Sequence, residues 1–148
     1  MKKNQKNSRL KVLFDASVVL SGLHSPNGAS GWLLKLVGGK KVLGIISETI
    51  LKEIIEHSDK LNLDEDESLT FCNENFLIFH PPDAELTVKY KRIVIDEGDA
   101  HVLASAKESG VDFLVTLDKK HLLILKDKVK NLKIVTPGEL ILFVPHRN

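Results

Sequence analysis

An α/β fold on a mostly parallel sheet is predicted by two observations. Apolar runs of strand length alternate along the chain with stretches of helical period, as βαβ units require. The strongest run, Asp112–Leu117, is continuous from Phe113 onward, as expected of a strand buried on both faces. No Pro/Gly-rich linker, internal repeat or low-complexity segment divides the 148 residues. They are read as one domain spanning 1–148, large enough to bury a real core.

The elements follow in order. Leu10–Phe14 is the first strand. Trp32, Leu33, Leu36 and Val37 mark a helix ended by Gly38 and Gly39, with Trp32 read as core or as an oligomer contact. Lys41–Ile46 is the second strand, and Ser47–His57 a helix with the stripe Ile50, Leu51, Ile54 and Ile55. Ser47 is its N-cap. Leu69, Cys72 and Phe76 give a weaker stripe after the acidic stretch Asp64–Glu67, whose charge suits a first helical turn. Phe76–His80 is the third strand, broken by Pro81 and Pro82. Val102, Leu103 and Ala106 place a helix over Asp99–Ser109 that Gly110 stops. The strands Asp112–Leu117 and Leu132–Val135 complete the set of five.

Composition bounds the function. With 43% hydrophobic and 28% charged residues the chain is globular, and a net charge of +1 gives no global pull towards nucleic acid. Basic residues are nonetheless uneven. Residues 1–9 form a basic arm expected to be flexible, with Lys2, Lys3, Lys6 and Arg9, and Lys11 follows. Lys119, Lys120, Lys126, Lys128, Lys130 and Lys133 crowd the last third. Such groups either contact phosphates or coat solvated faces. Lys119 and Lys120, directly after Asp118, are the pair read as phosphate contacts. The single cysteine, Cys72, excludes a disulfide framework and a thiolate zinc site. No apolar stretch reaches the roughly 18 residues that span a membrane, and no signal peptide is apparent. A cytoplasmic protein without a membrane partner is expected. Only 5% aromatic residues argues against a sheet face that stacks RNA bases.

Acidic residues carry the functional signal. Asp15 and Asp118 each end a strand, and ligand sites in open parallel sheets form outside the carboxyl ends of the strands. The helix that begins at Asp99 runs down from that same edge so that Gly110 can turn into the next strand. Three carboxylates therefore converge. Glu53 lies six residues into its helix, about 9 Å along it, and off the apolar stripe. Reaching the cluster needs a long side chain, and Glu48 and Glu56 compete for the role. Clustered carboxylates repel unless a cation or a proton is shared among them. Oxygen donors without a histidine or cysteine cluster favour Mg²⁺ or Mn²⁺ over zinc, as one ion or as two about 3.5–4 Å apart. His57, His80 and His121 are scattered in sequence, and His101 is read as a surface or packed histidine. Each acid also has a plain structural role: Asp118 as cap of a helix beginning at Lys119, Asp99 in a first turn, Glu53 on a polar face. Asp15 resists this best, because an acid ending a buried strand needs a partner.

At these residues the chain resembles the PIN domain family. Phe14-Asp15-Ala16-Ser17-Val18-Val19, Ser47-Glu48-Thr49-Ile50-Leu51-Lys52-Glu53, Asp96-Glu97-Gly98-Asp99-Ala100-His101-Val102-Leu103-Ala104 and Val115-Thr116-Leu117-Asp118 look like its four motifs, in order and spacing. From about Lys11 to Phe143 the chain is similar to the branch containing toxins of toxin–antitoxin pairs. The resemblance implies an α/β/α sandwich with a five-stranded parallel sheet and Mg²⁺- or Mn²⁺-dependent ribonuclease activity. It implies Asp15, Glu53, Asp99 and Asp118 as the acidic quartet that binds metal and carries catalysis, with RNA as substrate. Thr116 matches a position that often carries a hydroxyl beside the metal, and Asp96 an acidic position that serves as auxiliary ligand or loop anchor. A homodimer and a small antitoxin are the partners implied. One departure is visible: Ser17 stands where the first motif usually has Asn. A serine hydroxyl still donates to a carboxylate but loses the amide's second group; its plain alternative is a helix N-cap.

Other readings compete. A catalytically weak or inactive PIN-fold RNA-binding or assembly module draws its support from Ser17. An aspartyl-phosphate phosphatase needs a second aspartate where Ser17 stands, and a receiver domain needs one where His80 ends the third strand. A dinucleotide site fails because no Gly-x-Gly-x-x-Gly follows the first strand.

Overall fold

In the computed structural model, which describes residues 9–145, the apolar run of the first strand, β1 (Leu10–Phe14), is the centre of the molecule. Val12, Leu13 and Phe14 are fully buried. Parallel pairing to β2 (Val42–Ser47) on one side and β4 (Phe113–Val115) on the other covers both edges of β1. β3 (Leu77–Phe79) and β5 (Lys133–Val135) complete a five-stranded parallel sheet in the order β3-β2-β1-β4-β5. The expected residues 1–8 of the basic arm, with Lys2, Lys3 and Lys6, lie outside the described residues.

Among the described residues seven α-helices surround the sheet: α1 (Ala16–His24), α2 (Ala29–Gly38), α3 (Glu48–Ser58), α4 (Glu65–Asn75), α5 (Ala84–Tyr90), α6 (Ala100–Ser109) and α7 (Pro137–Ile141). Right-handed crossovers dictate the layers. The steps β1 to β2 to β3 move one way and place α1–α4 on one face, while the return from β3 to β4 places α5 and α6 on the other. Contacts agree: α1 packs on α2 and α3, α3 on α4, α7 on α2, and α5 on α6. The expected α/β/α sandwich is the observed architecture.

The caps explain the boundaries. The Ser47 hydroxyl accepts from the Ile50 amide at 3.0 Å and starts α3, and Asp64 does the same for α4 through Glu67. Gly110 at φ 65° ends α6, a left-handed conformation in which glycine carries no steric penalty. Thr136 and Glu139 close a capping box with Pro137 at the first position of α7.

Several expectations are corrected. The fourth strand stops at Val115, because β5 ends at Val135 and offers no further partner; Thr116 keeps one sheet-like bond to the Val135 carbonyl at 3.0 Å. The third strand is shorter at both ends, since Phe76 is the C-cap of α4 and Pro81 follows His80. No helix begins at Lys119; the Asp118 side chain instead caps a turn. Ser17 lies inside α1, whose N-cap is Asp15. Trp32 is not core, being 49% exposed, and Leu69 faces solvent while Cys72 and Phe76 are buried.

Candidate active site

The strand order reverses between β1 and β4. β1 continues towards β2, while β4 returns from the far side to lie on its other flank. Ligand crevices in open α/β sheets form at such a switch point, and here Asp15 and the Thr116–Asp118 segment meet.

Asp15 follows β1, with its amide donating to the Val115 carbonyl at 3.0 Å. The residue is 9% exposed. Oδ2 accepts from the Thr116 hydroxyl at 2.7 Å and from the Ser17 hydroxyl at 2.8 Å. Burial pushes its carboxyl above the ordinary value; the two hydroxyls pull it back, and the charge of Glu53 raises it again. Both hydroxyls also accept. Thr116 Oγ1 takes the Asp118 amide at 3.0 Å, and Ser17 Oγ takes the Leu117 amide at 3.2 Å. One fully buried threonine and one serine thus tie the end of β1 to the end of β4. Ser17 supplies both an acceptor and a donor, the two functions that an amide would bring.

Asp118 is held by its own turn. Oδ1 accepts from the amides of Lys120 at 3.1 Å and His121 at 2.9 Å, and the His121 ring Nδ1–H donates to Oδ2 at 3.2 Å. Lys119 and Lys120 are exposed beside it. Asp99 comes from a 3₁₀ turn, Glu97–Asp99, that precedes α6. The Asp96 carboxylate anchors this turn by accepting from the Gly98 amide at 2.9 Å. Burial, then the charges of Asp118, Asp15 and Asp96, push the Asp99 carboxyl up to about 6, against a smaller opposing effect of His121. Asp99 Oδ2 is buried and has no hydrogen-bond partner.

Glu53 leans across from α3 to α6. The His101 Nε2–H donates to its Oε2 at 3.1 Å. It is close enough to Asp15 to raise that group's pKa, whereas Glu48 and Glu56 are exposed. The structure therefore gathers Asp15, Asp96, Asp99 and Asp118 in one cluster and sets Glu53 at its flank on an imidazole. Two participants were missed in the sequence, His101 and His121. Their signal was local: His101 follows Asp99 by two residues, and His121 follows Asp118 by three.

A divalent cation fits this donor set. An orphaned buried carboxylate oxygen among like charges is costly without a counter-charge. Asp96, Asp99 and His121 each offer a ligand atom, all within 4.8 Å of one another. Among the described residues no helix is long and apolar enough to cross a membrane.

A five-stranded parallel α/β/α domain with a cluster of carboxylates at its switch point is the class defined so far. The PIN domain family model matches residues 11–120, and the chain belongs to that family, whose members are typically nucleases. A 46-residue stretch is 41% identical to the uncharacterized protein MJ1680 of Methanocaldococcus jannaschii, covering 31% of this chain and 30% of that protein. Among solved structures, PAE2754 from Pyrobaculum aerophilum is similar with a TM-score of 0.61 at 18% identity, over 90% of this chain and 88% of that one. VapBC2 from Rickettsia felis, bound to a DNA fragment from its promoter, gives 0.60 at 15% identity over 86% and 98%. The sarcin–ricin-loop-cleaving toxin VapC20 of Mycobacterium tuberculosis gives 0.54 at 14% over 74% and 91%. At these identities the likeness is one of fold.

Proposed function

We propose that the chain is an Mg²⁺- or Mn²⁺-dependent endoribonuclease that hydrolyses RNA phosphodiesters with water as nucleophile. The observation that carries this reading is Asp99 Oδ2, buried without a hydrogen bond, on a carboxyl that burial first, and then the charges of Asp118, Asp15 and Asp96, push up to about 6. Asp15, Asp99 and Asp118 would hold the cation, with Glu53 at the flank of the crevice. When bound, such an ion lowers the pKa of a water and offsets charge on the leaving oxygen.

The remaining work falls to the chain itself. Thr116 and Ser17 fix the rotation of the Asp15 carboxylate through two donors on one oxygen. The amides after Asp118 fix the other strand-end acid. Exposed Lys119 and Lys120 stand beside that acid and supply positive charge for the RNA backbone. Phosphate contacts and carboxylates read no base, so selectivity for one RNA must come from groups outside this cluster. The alternative of an inert binding module leaned on Ser17, yet the Ser17 hydroxyl makes both bonds asked of that position.

A toxin of a toxin–antitoxin pair is the biological role we favour, on the strength of the fold likeness to the VapBC2 assembly and to VapC20. A small antitoxin over the acidic crevice and a second copy of the chain are the partners that follow. The test is cleavage of single-stranded RNA with Mn²⁺ by the wild type, Asp15→Asn and Asp99→Asn. Loss of cleavage in both folded variants is expected, and retained cleavage in both contradicts the reading.

A further inference from the structure

His121 is an imidazole inside the acid cluster that the quartet of carboxylates leaves unused. Its place is fixed by its own backbone, whose amide donates to Asp118 Oδ1 at 2.9 Å. From there Nδ1 lies 3.2 Å from Asp118 Oδ2 and 4.0 Å from Asp99 Oδ2. Asp96, Asp99 and His121 each present a donor atom, all within 4.8 Å of one another. Donors about 2.1 Å from one octahedral ion sit about 3.0 Å apart when cis and about 4.2 Å apart when trans. The 4.0 Å between His121 Nδ1 and Asp99 Oδ2 falls in that range. An Asp118–His121 pair alone leaves one fact unexplained, because Asp99 Oδ2, the oxygen facing Nδ1, is buried and receives no hydrogen bond. A cation between Asp99 and His121 gives that oxygen its counter-charge.

We propose that Asp96, Asp99 and His121 form a mixed oxygen and nitrogen cation position in which His121 Nδ1 is a direct ligand. The proposal rests on the metal-dependent reading above and adds a residue outside the acidic quartet. Its chemical consequence is selectivity. Imidazole is a poor ligand for Mg²⁺ and a good one for later first-row divalent ions, so the site favours Mn²⁺ over Mg²⁺. Neutral imidazole must present a lone pair, so the Nδ1–H that donates to Asp118 in the metal-free protein moves to Nε2 on binding.

The test is pulsed electron paramagnetic resonance of the full chain loaded with Mn²⁺, at natural abundance and with ¹⁵N-labelled histidine. We expect nitrogen modulation that changes with the label and disappears in His121→Asn. Calorimetry should show Mn²⁺ bound about tenfold or more weakly by that variant, with Mg²⁺ affected distinctly less. Mn²⁺ bound by the wild type without histidine coupling overturns the proposal and leaves the carboxylate site standing. Coupling that persists in His121→Asn assigns the nitrogen to another histidine and also overturns it. No Mn²⁺ binding by the wild type removes this position together with the proposed function.

Discussion

Replacing Thr116 by valine keeps the shape of a fully buried side chain and removes only its hydroxyl. Two bonds go with it, the 2.7 Å donation to Asp15 Oδ2 and the 3.0 Å acceptance from the Asp118 amide. A hydrogen bond to a charged group contributes about 1.5–3 kcal/mol, and an amide left partly buried without an acceptor costs about 1–3 kcal/mol. Allowing for overlap between the two, Thr116→Val should destabilise the metal-free protein by about 2–4 kcal/mol, or ~5–12 °C in Tm for a domain of this size. The cost should grow with pH. Burial already holds the Asp15 carboxyl above its ordinary 3.8, and the Thr116 bond opposes that rise. Without the bond the folded-state pKa climbs further. A raised folded-state pKa gives stability that is complete below the ordinary value and lost as pH rises through the raised one. Thermal denaturation of wild type, Thr116→Val and Thr116→Ser at pH 4 and pH 8 reads this directly. Thr116→Ser keeps the hydroxyl and should stay near the wild type. A valine variant as stable as the wild type, or a serine variant as weak as valine, would refute the reasoning.

Three further expectations concern single positions. Asp99→Asn removes a carboxyl pushed up to about 6 from the ordinary 3.8; the wild type should lose stability on the order of 3 kcal/mol across that window as pH rises. The variant should not, and metal-free melting at pH 7 should therefore favour it; a lower Tm there contradicts mutual repulsion. His101→Ala should change stability by less than about 1 kcal/mol, because its bond to Glu53, whose side chain is 36% exposed, is screened by solvent. It should nevertheless lower RNA cleavage about tenfold or more by freeing Glu53, and unchanged kcat would separate the pair from function. Gly31→Ala would bring a Cβ to 2.1 Å from the Pro26 carbonyl oxygen, so chemical denaturation should show a loss of about 1–3 kcal/mol.

Much of the site was legible because backbone topology decides it. Asp15, Asp99 and Asp118 follow from strand ends and from helix direction alone, and the structure gathers them. Glu53 was legible only as reach. Its partner His101 lies 48 residues away on another helix, and no local pattern encodes that pairing. His121 was passed over because the histidines are scattered along the chain, although its three-residue distance from Asp118 within one turn was the usable signal. The fold shows the same division. β1 matches its apolar run residue for residue, while α1 was hidden because Ala16, Val18 and Val19 are all buried and no periodic stripe stands out. α5 buries no residue and leaves no apolar signature. α7 did carry one: Thr136-Pro137-Gly138-Glu139 has the capping-box spacing that the structure realises.

The central claim is that these acids hold a cation for RNA cleavage. Its most direct test is a calorimetric Mn²⁺ titration of the wild type and Asp15→Asn, with a single-stranded RNA cleavage assay on the same samples. The account expects the wild type to bind Mn²⁺ and cut, and the variant to remain folded while losing both. A wild type that binds no Mn²⁺ even with RNA present contradicts it and makes the acids structural.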